Sequence, residues 1–246
     1  MGDVGSETTC DVRGTRGVGQ VASSWPIPVT APQRTERPSQ VGLRPRRTTV
    51  MRGGTYPIGT TTMQSTVEAI IRINDGLNRF WSRASGWAPI AAAQLLSRSR
   101  LDWQVSLSHT LFRWLPPFRP DEAHGSIILG YANVGALVEG SLKLFFSVWY
   151  EDYRQDVDAI RKKGKIVDPD AVTIEPLKIL FDKRITKKFT SWIQPIQERR
   201  NAIHAFRTRP IGSQQDLKDD IRRYLEFLRY VNDRLPYPDD GLYKPR

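Results

Sequence analysis

The chain is nearly devoid of the residues from which disulfide frameworks and metal centres are built. Its 246 residues include one cysteine, Cys10, and three histidines, His109, His124 and His204. One thiol can form neither an intrachain disulfide nor a cysteine-based metal site, and three histidines this far apart have no metal-ligand spacing. No metal is therefore expected, and so little cysteine fits a reducing, cytoplasmic compartment. The first thirty residues lack the uninterrupted apolar run of a secretory signal. The longest apolar stretch, 126–150, is interrupted by Asn133, Glu139 and Lys143. A charge at the bilayer centre costs about 2.5–3.5 kcal/mol, so this stretch reads as a buried core helix and no membrane partner is expected. Strand-like alternation and internal repeats are also missing.

What the chain does have is positive charge and apolar bulk. The formal net charge is +11, 39% of residues are hydrophobic, and seven are tryptophan. The apolar share supports a sizeable core. The charge favours a polyanionic partner, although charge alone does not choose between nucleic acid and an acidic surface.

Residues 1–64 stand apart. They contain no lysine, are rich in Gly, Thr, Pro and Arg, and show no apolar periodicity. Such a segment cannot bury enough surface to offset its chain entropy, so it reads as a disordered extension. Alternatively, translation starts at Met63 and the upstream stretch is an over-extended reading frame. Residues 65–235 then read as one all-α domain, with 236–246 as a C-terminal tail.

Within that domain, Ser65-Thr66-Val67-Glu68 has the spacing of a capping box, and Val67, Ile70, Ile71, Leu77, Phe80 and Trp81 follow at helical spacing. A second helical stretch runs over 89–115 and stops at Pro116-Pro117. The third and longest covers 126–162. Its Gly130, Gly135 and Gly140 are costly in a helix interior and point to close approach by other helices. A turn at 163–169, a short helix over 176–185 and a longer one over 187–206 follow. The last helix opens at Ser213-Gln214-Gln215-Asp216 and carries an apolar stripe from Leu217 to Leu235. Short connections between amphipathic helices predict an antiparallel bundle of about five helices. His109 reads as a packing residue, His124 as loop surface, and Trp81, Trp103, Trp114, Trp149 and Trp192 as core.

One stretch carries the residues for chemistry: Glu198-Arg199-Arg200-Asn201-Ala202-Ile203-His204. A guanidinium grips phosphate oxygens in a bidentate fork and stabilises charge building on phosphorus. An imidazole exchanges protons near neutral pH. RNA supplies its own 2′-OH nucleophile, so neither cofactor nor metal is required. The bland alternative is a solvated helix end whose cations complement the helix dipole.

With Arg199, four intervening residues and His204 near the end of a late helix, the chain resembles the HEPN superfamily. Arg119 and His124 share the spacing, but in a proline-bounded loop. The resemblance implies a helical-bundle homodimer acting on single-stranded RNA, in a toxin–antitoxin or phage-defence setting and with an antitoxin protein as a further partner. It implies Arg199 and His204 as catalytic residues, Arg200 and Asn201 as phosphate or RNA contacts, and Glu198 as support for an arginine. Register leaves Arg200 open as the true partner: on a regular helix it points about 40° from His204, whereas Arg199 points about 140° away. A non-catalytic HEPN-like module that binds RNA or protein is the alternative function. The toxin members' modified tyrosine two residues after the histidine is replaced here by Phe206.

Overall fold

A computed structural model describes residues 62–204, 208–238 and 243–246. Residues 1–61, on which most of the expected disordered extension falls, lie outside the described part.

The described chain is all-α apart from one small hairpin. Its helices are α1 (Met63–Trp81), α2 (Ile90–Arg98), α3 (Leu101–Thr110), α4 (Ala123–Val148), α5 (Tyr150–Gln155), α6 (Ile174–Arg184), α7 (Thr190–Arg200) and α8 (Gln214–Asn232). Strands β1 (Arg161–Lys162) and β2 (Lys165–Ile166) pair antiparallel. Single-turn 3-10 helices at Leu111–Trp114, Pro169–Ala171 and Asn201–Ile203 complete it.

The helix count exceeds the sequence expectation because two long segments are broken. The 89–115 stretch divides at Ser99 and Arg100, where Ser99 is extended, with ψ of 148°. The 126–162 stretch starts three residues earlier, at Ala123, and breaks at Trp149 before the short α5. Its polar end is the hairpin rather than helix. The first helix is also capped earlier than expected: the Thr62 hydroxyl accepts from Ser65 N–H at 3.2 Å, so Thr62 rather than Ser65 is the N-cap. Helix α8 opens at Ser213 as expected, and there a capping box forms, with Ser213 and Asp216 each bonding the other's backbone N–H.

Helix α4 is the axis of the fold and packs against α2, α3, α5, α6, α7 and α8. By length and composition it is apolar enough to cross a membrane, but most of that apolar window is buried within the fold. The close approach expected at its glycines is present. A Cβ on Gly130 would overlap Leu217 of α8, one on Gly140 would overlap Gln104 of α3, and one on Gly135 would lie 2.6 Å from Arg200 Cδ. Residues such as Val67, Ile70, Leu137, Phe145, Phe181, Ile193 and Leu228 are fully enclosed.

Polar links tie this core together. Asn74 of α1 donates to Ser108 of α3 at 2.7 Å, and the Tyr224 hydroxyl of α8 lies 3.1 Å from Ser141 of α4. The chain end folds back on α1: Trp81 Nε1 donates to the Tyr237 hydroxyl at 3.2 Å, and Asn232 Nδ2 donates to the Pro245 carbonyl at 2.9 Å. Trp81 and Trp149 are core residues as expected, but Trp103 is 58% exposed. It lies under the Arg100 guanidinium at 4.1 Å. His109 is exposed on α3 rather than packed, and His124 is exposed in the first turn of α4 rather than in a loop.

Candidate functional site

The arginine–histidine stretch does not continue as a regular helix. Helix α7 ends at Arg200, and Asn201–Ile203 tighten into a 3-10 turn, with His204 N–H donating to the Asn201 carbonyl at 3.3 Å. Residues 205–207, including Phe206, lie outside the described part. The change of winding sends the two arginines to different places.

Arg199 enters a polar cluster between α4, α7 and α8. Its Nη1 donates to Asp220 at 2.9 Å and to the Tyr131 hydroxyl at 2.5 Å, and its guanidinium lies 5.0 Å from the Tyr131 ring centre. Tyr131 donates to Asp220 at 2.8 Å, and Trp192 Nε1 donates to the other carboxylate oxygen at 2.9 Å. Burial pushes the Asp220 carboxyl above the usual aspartate value, against the pull of the Tyr131 and Arg199 donors. Burial and the adjacent carboxylate likewise push the Tyr131 phenol well up, so it remains a donor. This cluster staples three helices.

Arg200 takes the other course. Its stem lies across Gly135, and its Nη1 donates to Glu139, one helical turn further along α4. Glu139 is also paired with Lys143 at 2.8 Å. Burial raises the Glu139 carboxyl, but the donors and charges of Lys143 and Arg200 outweigh it and hold it below the usual glutamate value. Arg200 is therefore fixed by an ionised partner.

Beside it opens a cavity of about 540 Å³ whose polar lining is Glu139, Thr173, Glu175, Gln197, Arg200, Asn201 and His204. His204 is exposed, and among the described residues nothing hydrogen-bonds its imidazole. Asn201 is half-buried. Two acceptors in the wall, Glu175 Oε2 and Gln197 Oε1, are buried without a hydrogen-bond donor among the described residues. A ligand carrying hydroxyl or amino donors would satisfy them, since an unmet buried acceptor costs about 1–3 kcal/mol.

Of the expected site residues, Arg200, Asn201 and His204 share this cavity, whereas Arg199 does not line it. Glu198 is exposed and accepts from Gln194 at 3.0 Å; the carboxylates that hold the arginines are Glu139 and Asp220. The second Arg-to-His match is divided, with Arg119 paired to Asp121 at 2.6 Å in an exposed turn. Sequence reasoning gave no role to Glu139, Glu175 or Gln197. The only signal was Glu139 itself, a charge in the middle of an apolar helix.

Comparison with protein-family models, with curated proteins and with solved structures returns no match to the chain.

Proposed function

We propose that the chain is a HEPN-like helical bundle that cleaves single-stranded RNA without a metal at the cavity beside the end of α7. The observation that carries this reading is the shared lining of one open cavity by Arg200, Asn201 and His204, with the imidazole exposed. Arg200 takes the guanidinium role, and Arg199 is a structural residue of the Tyr131–Asp220 cluster.

In the reaction, the ribose 2′-oxygen attacks the adjacent phosphorus, its proton passes to a base, and the 5′-oxygen leaves with a proton. The products are a 2′,3′-cyclic phosphate and a 5′-hydroxyl. His204 performs one of these transfers, and Arg200 stabilises the charge gathering on the phosphoryl oxygens. In a homodimer a second His204 supplies the other transfer. Ile203, 49% exposed, lines the cavity, and Leu129, 52% exposed, lies on α4 about one turn before the lining residue Ala132; the two provide apolar surface for such pairing. A toxin or phage-defence role in the cytoplasm, restrained by an antitoxin protein, fits this chemistry.

The direct test incubates purified protein with single-stranded RNA in EDTA. Cleavage that disappears in His204→Ala and drops at least tenfold in Arg200→Ala supports the enzyme. Absence of cleavage, or cleavage undiminished in His204→Ala, removes it. Sedimentation of the wild type and of Leu129→Glu tests the dimer.

A second reading is favoured by the acids in the cavity. Glu139 engages Arg200, and Glu175 adds another carboxylate. Both oppose a phosphate, which suits a non-catalytic module that binds RNA or protein. RNA binding without cleavage, intact in His204→Ala and lost in Arg200→Ala, would select it.

A further inference from the structure

Among the described residues, a dense run of positive charge lies away from the α7 cavity. Residues 161–165 read Arg-Lys-Lys-Gly-Lys, and all five are exposed. They form the β1–β2 hairpin, whose loop residues Lys163 and Gly164 both have positive φ, 50° and 76°. A two-residue loop of this kind turns the strands back tightly. The cations are therefore held on a fixed scaffold against the body of the protein.

Between this hairpin, α2 and α5 lies a cavity of about 650 Å³. Its charged lining is Arg98, Arg154, Arg161 and Lys165, against the single carboxylate of Asp168. Asp168 is already saturated: Arg98 Nη2 donates to it at 2.7 Å, and the Tyr150 hydroxyl donates to its other oxygen. Arg98 also reaches Asp170 at 3.2 Å, so Arg98 and these two acids answer one another. Burial and the bond to Asp168 push the Tyr150 phenol up to about 12, so it remains a neutral donor.

Arg154, Arg161 and Lys165 are left. Among the described residues none of the three has a carboxylate oxygen within 4.0 Å. Arg161 is held by the carbonyls of Val157 and Ala159, at 3.2 and 3.3 Å through Nη1. Arg154 lies 5.6 Å from the Tyr150 ring centre. Three cations converging on one concavity repel each other unless an anion sits among them. The volume is that of a ligand pocket, typically about 300–1,000 Å³, and exceeds what one inorganic phosphate fills. Leu95 and Ile166 supply an apolar wall.

We propose that this hairpin cleft binds a phosphate-bearing ribonucleotide, with Arg154, Arg161 and Lys165 on the phosphate and the Leu95–Ile166 wall against the sugar and base. The ligand is either a free nucleotide or one unit of an RNA strand. The second source has a geometric basis. Asp168 lines this cleft and Thr173 lines the α7 cavity, and five residues span at most about 18 Å even fully extended. A strand a few nucleotides long can thus touch both. The binding itself does not depend on cleavage at His204.

The test titrates the full chain with ATP and, separately, with a labelled twelve-residue oligouridylate, following heat and fluorescence anisotropy. At least one probe binds. The Arg154→Ala/Arg161→Ala/Lys165→Ala variant binds it at least tenfold more weakly, while Arg222→Ala/Arg223→Ala on α8 changes it less than twofold. Loss confined to ATP identifies a free-nucleotide site, and loss confined to the oligonucleotide identifies a strand site; either supports the cleft. Binding of neither probe, or a loss no greater than in the α8 control, overturns it. If the triple variant loses its helical circular dichroism, amide NMR shifts in the wild type decide: movement of Gly164 and Ile166 with either probe supports the cleft, and their silence overturns it. ATP carries no internucleotide linkage to cleave, so its binding to the wild type reads the cleft alone, and this result and the cleavage result stand or fall separately.

Discussion

At the scale of single residues, the two adjacent arginines at the end of α7 do different work because they meet different carboxylates. Arg199 is locked to Asp220 inside a three-helix cluster, with side chains only 23% and 16% exposed. Removing one partner of such a pair strands the other, together with the Trp192 and Tyr131 donors. Asp220→Ala should therefore destabilise the fold by about 3 kcal/mol, read as a lower urea midpoint at unchanged slope. Arg200 meets Glu139, whose carboxyl is held below its ordinary value of about 4.3. A depressed carboxyl stabilises the folded state fully above its unfolded value and loses that contribution as pH falls through the lower, folded one. The stability difference between wild type and Glu139→Gln should be constant near neutrality and shrink as pH falls below about 4.3. Thermal melts from pH 7 to pH 3 measure it; a difference that instead grows toward acid would remove the ionised Glu139 from the account.

At the scale of elements, Gly135 shows how a helix surface aims a side chain. A Cβ there would lie 2.6 Å from Arg200 Cδ and 3.1 Å from its Cβ. Alanine gains about 1 kcal/mol in helix propensity, and the overpacking costs about 1–3 kcal/mol. Gly135→Ala should therefore change stability by no more than about 2 kcal/mol, while shifting Arg200 and lowering RNA cleavage at least tenfold with helicity retained. The hairpin offers an opposite case. Lys163 has φ of 50°, which costs a side chain with a Cβ roughly 1–2 kcal/mol. Asparagine tolerates that conformation, so Lys163→Asn should raise the melting temperature by about 2–4 °C for a gain near 1 kcal/mol. Lys163 does not line the cleft, and ATP affinity should stay within twofold. These elements also show what the sequence could and could not reveal. The apolar stripes of α1 and α8 and the opening of α8 at Ser213 were legible because their signals are local. Thr62 and Ser65 are equally good caps, so that boundary was ambiguous. The break at Ser99-Arg100 was hidden because apolar spacing runs on across it. Strands of two residues are too short to alternate, so the hairpin left no periodic trace. At the site, helix geometry favoured Arg200 over Arg199 for pairing with His204. Asp220, Glu175 and Gln197 enter only through tertiary packing, and Glu139 left no sign beyond its charge in an apolar helix.

At the scale of the whole molecule, the charge is unevenly placed. Residues 1–61 contain eight arginines and four acids, so seven of the eleven net charges belong to residues 62–246. Within the described part, many cations are cancelled locally, as at Arg98, Arg184 and Arg200. The hairpin cleft is a concavity where cancellation fails, and the α7 cavity is one where carboxylates accompany the arginine. An RNA strand that crosses both should draw its electrostatic affinity from the first and its chemistry from the second. Each phosphate neutralised on a single strand contributes a slope of about −0.7 to log K against log salt concentration. Replacing Arg154, Arg161 and Lys165, which share one phosphate, with alanine should therefore flatten the oligouridylate slope by about 0.7, whereas His204→Ala should leave the slope unchanged while abolishing cleavage. Anisotropy titrations from 50 to about 300 mM salt separate these effects. If both variants keep the wild-type slope, the strand is held by some other part of this basic chain.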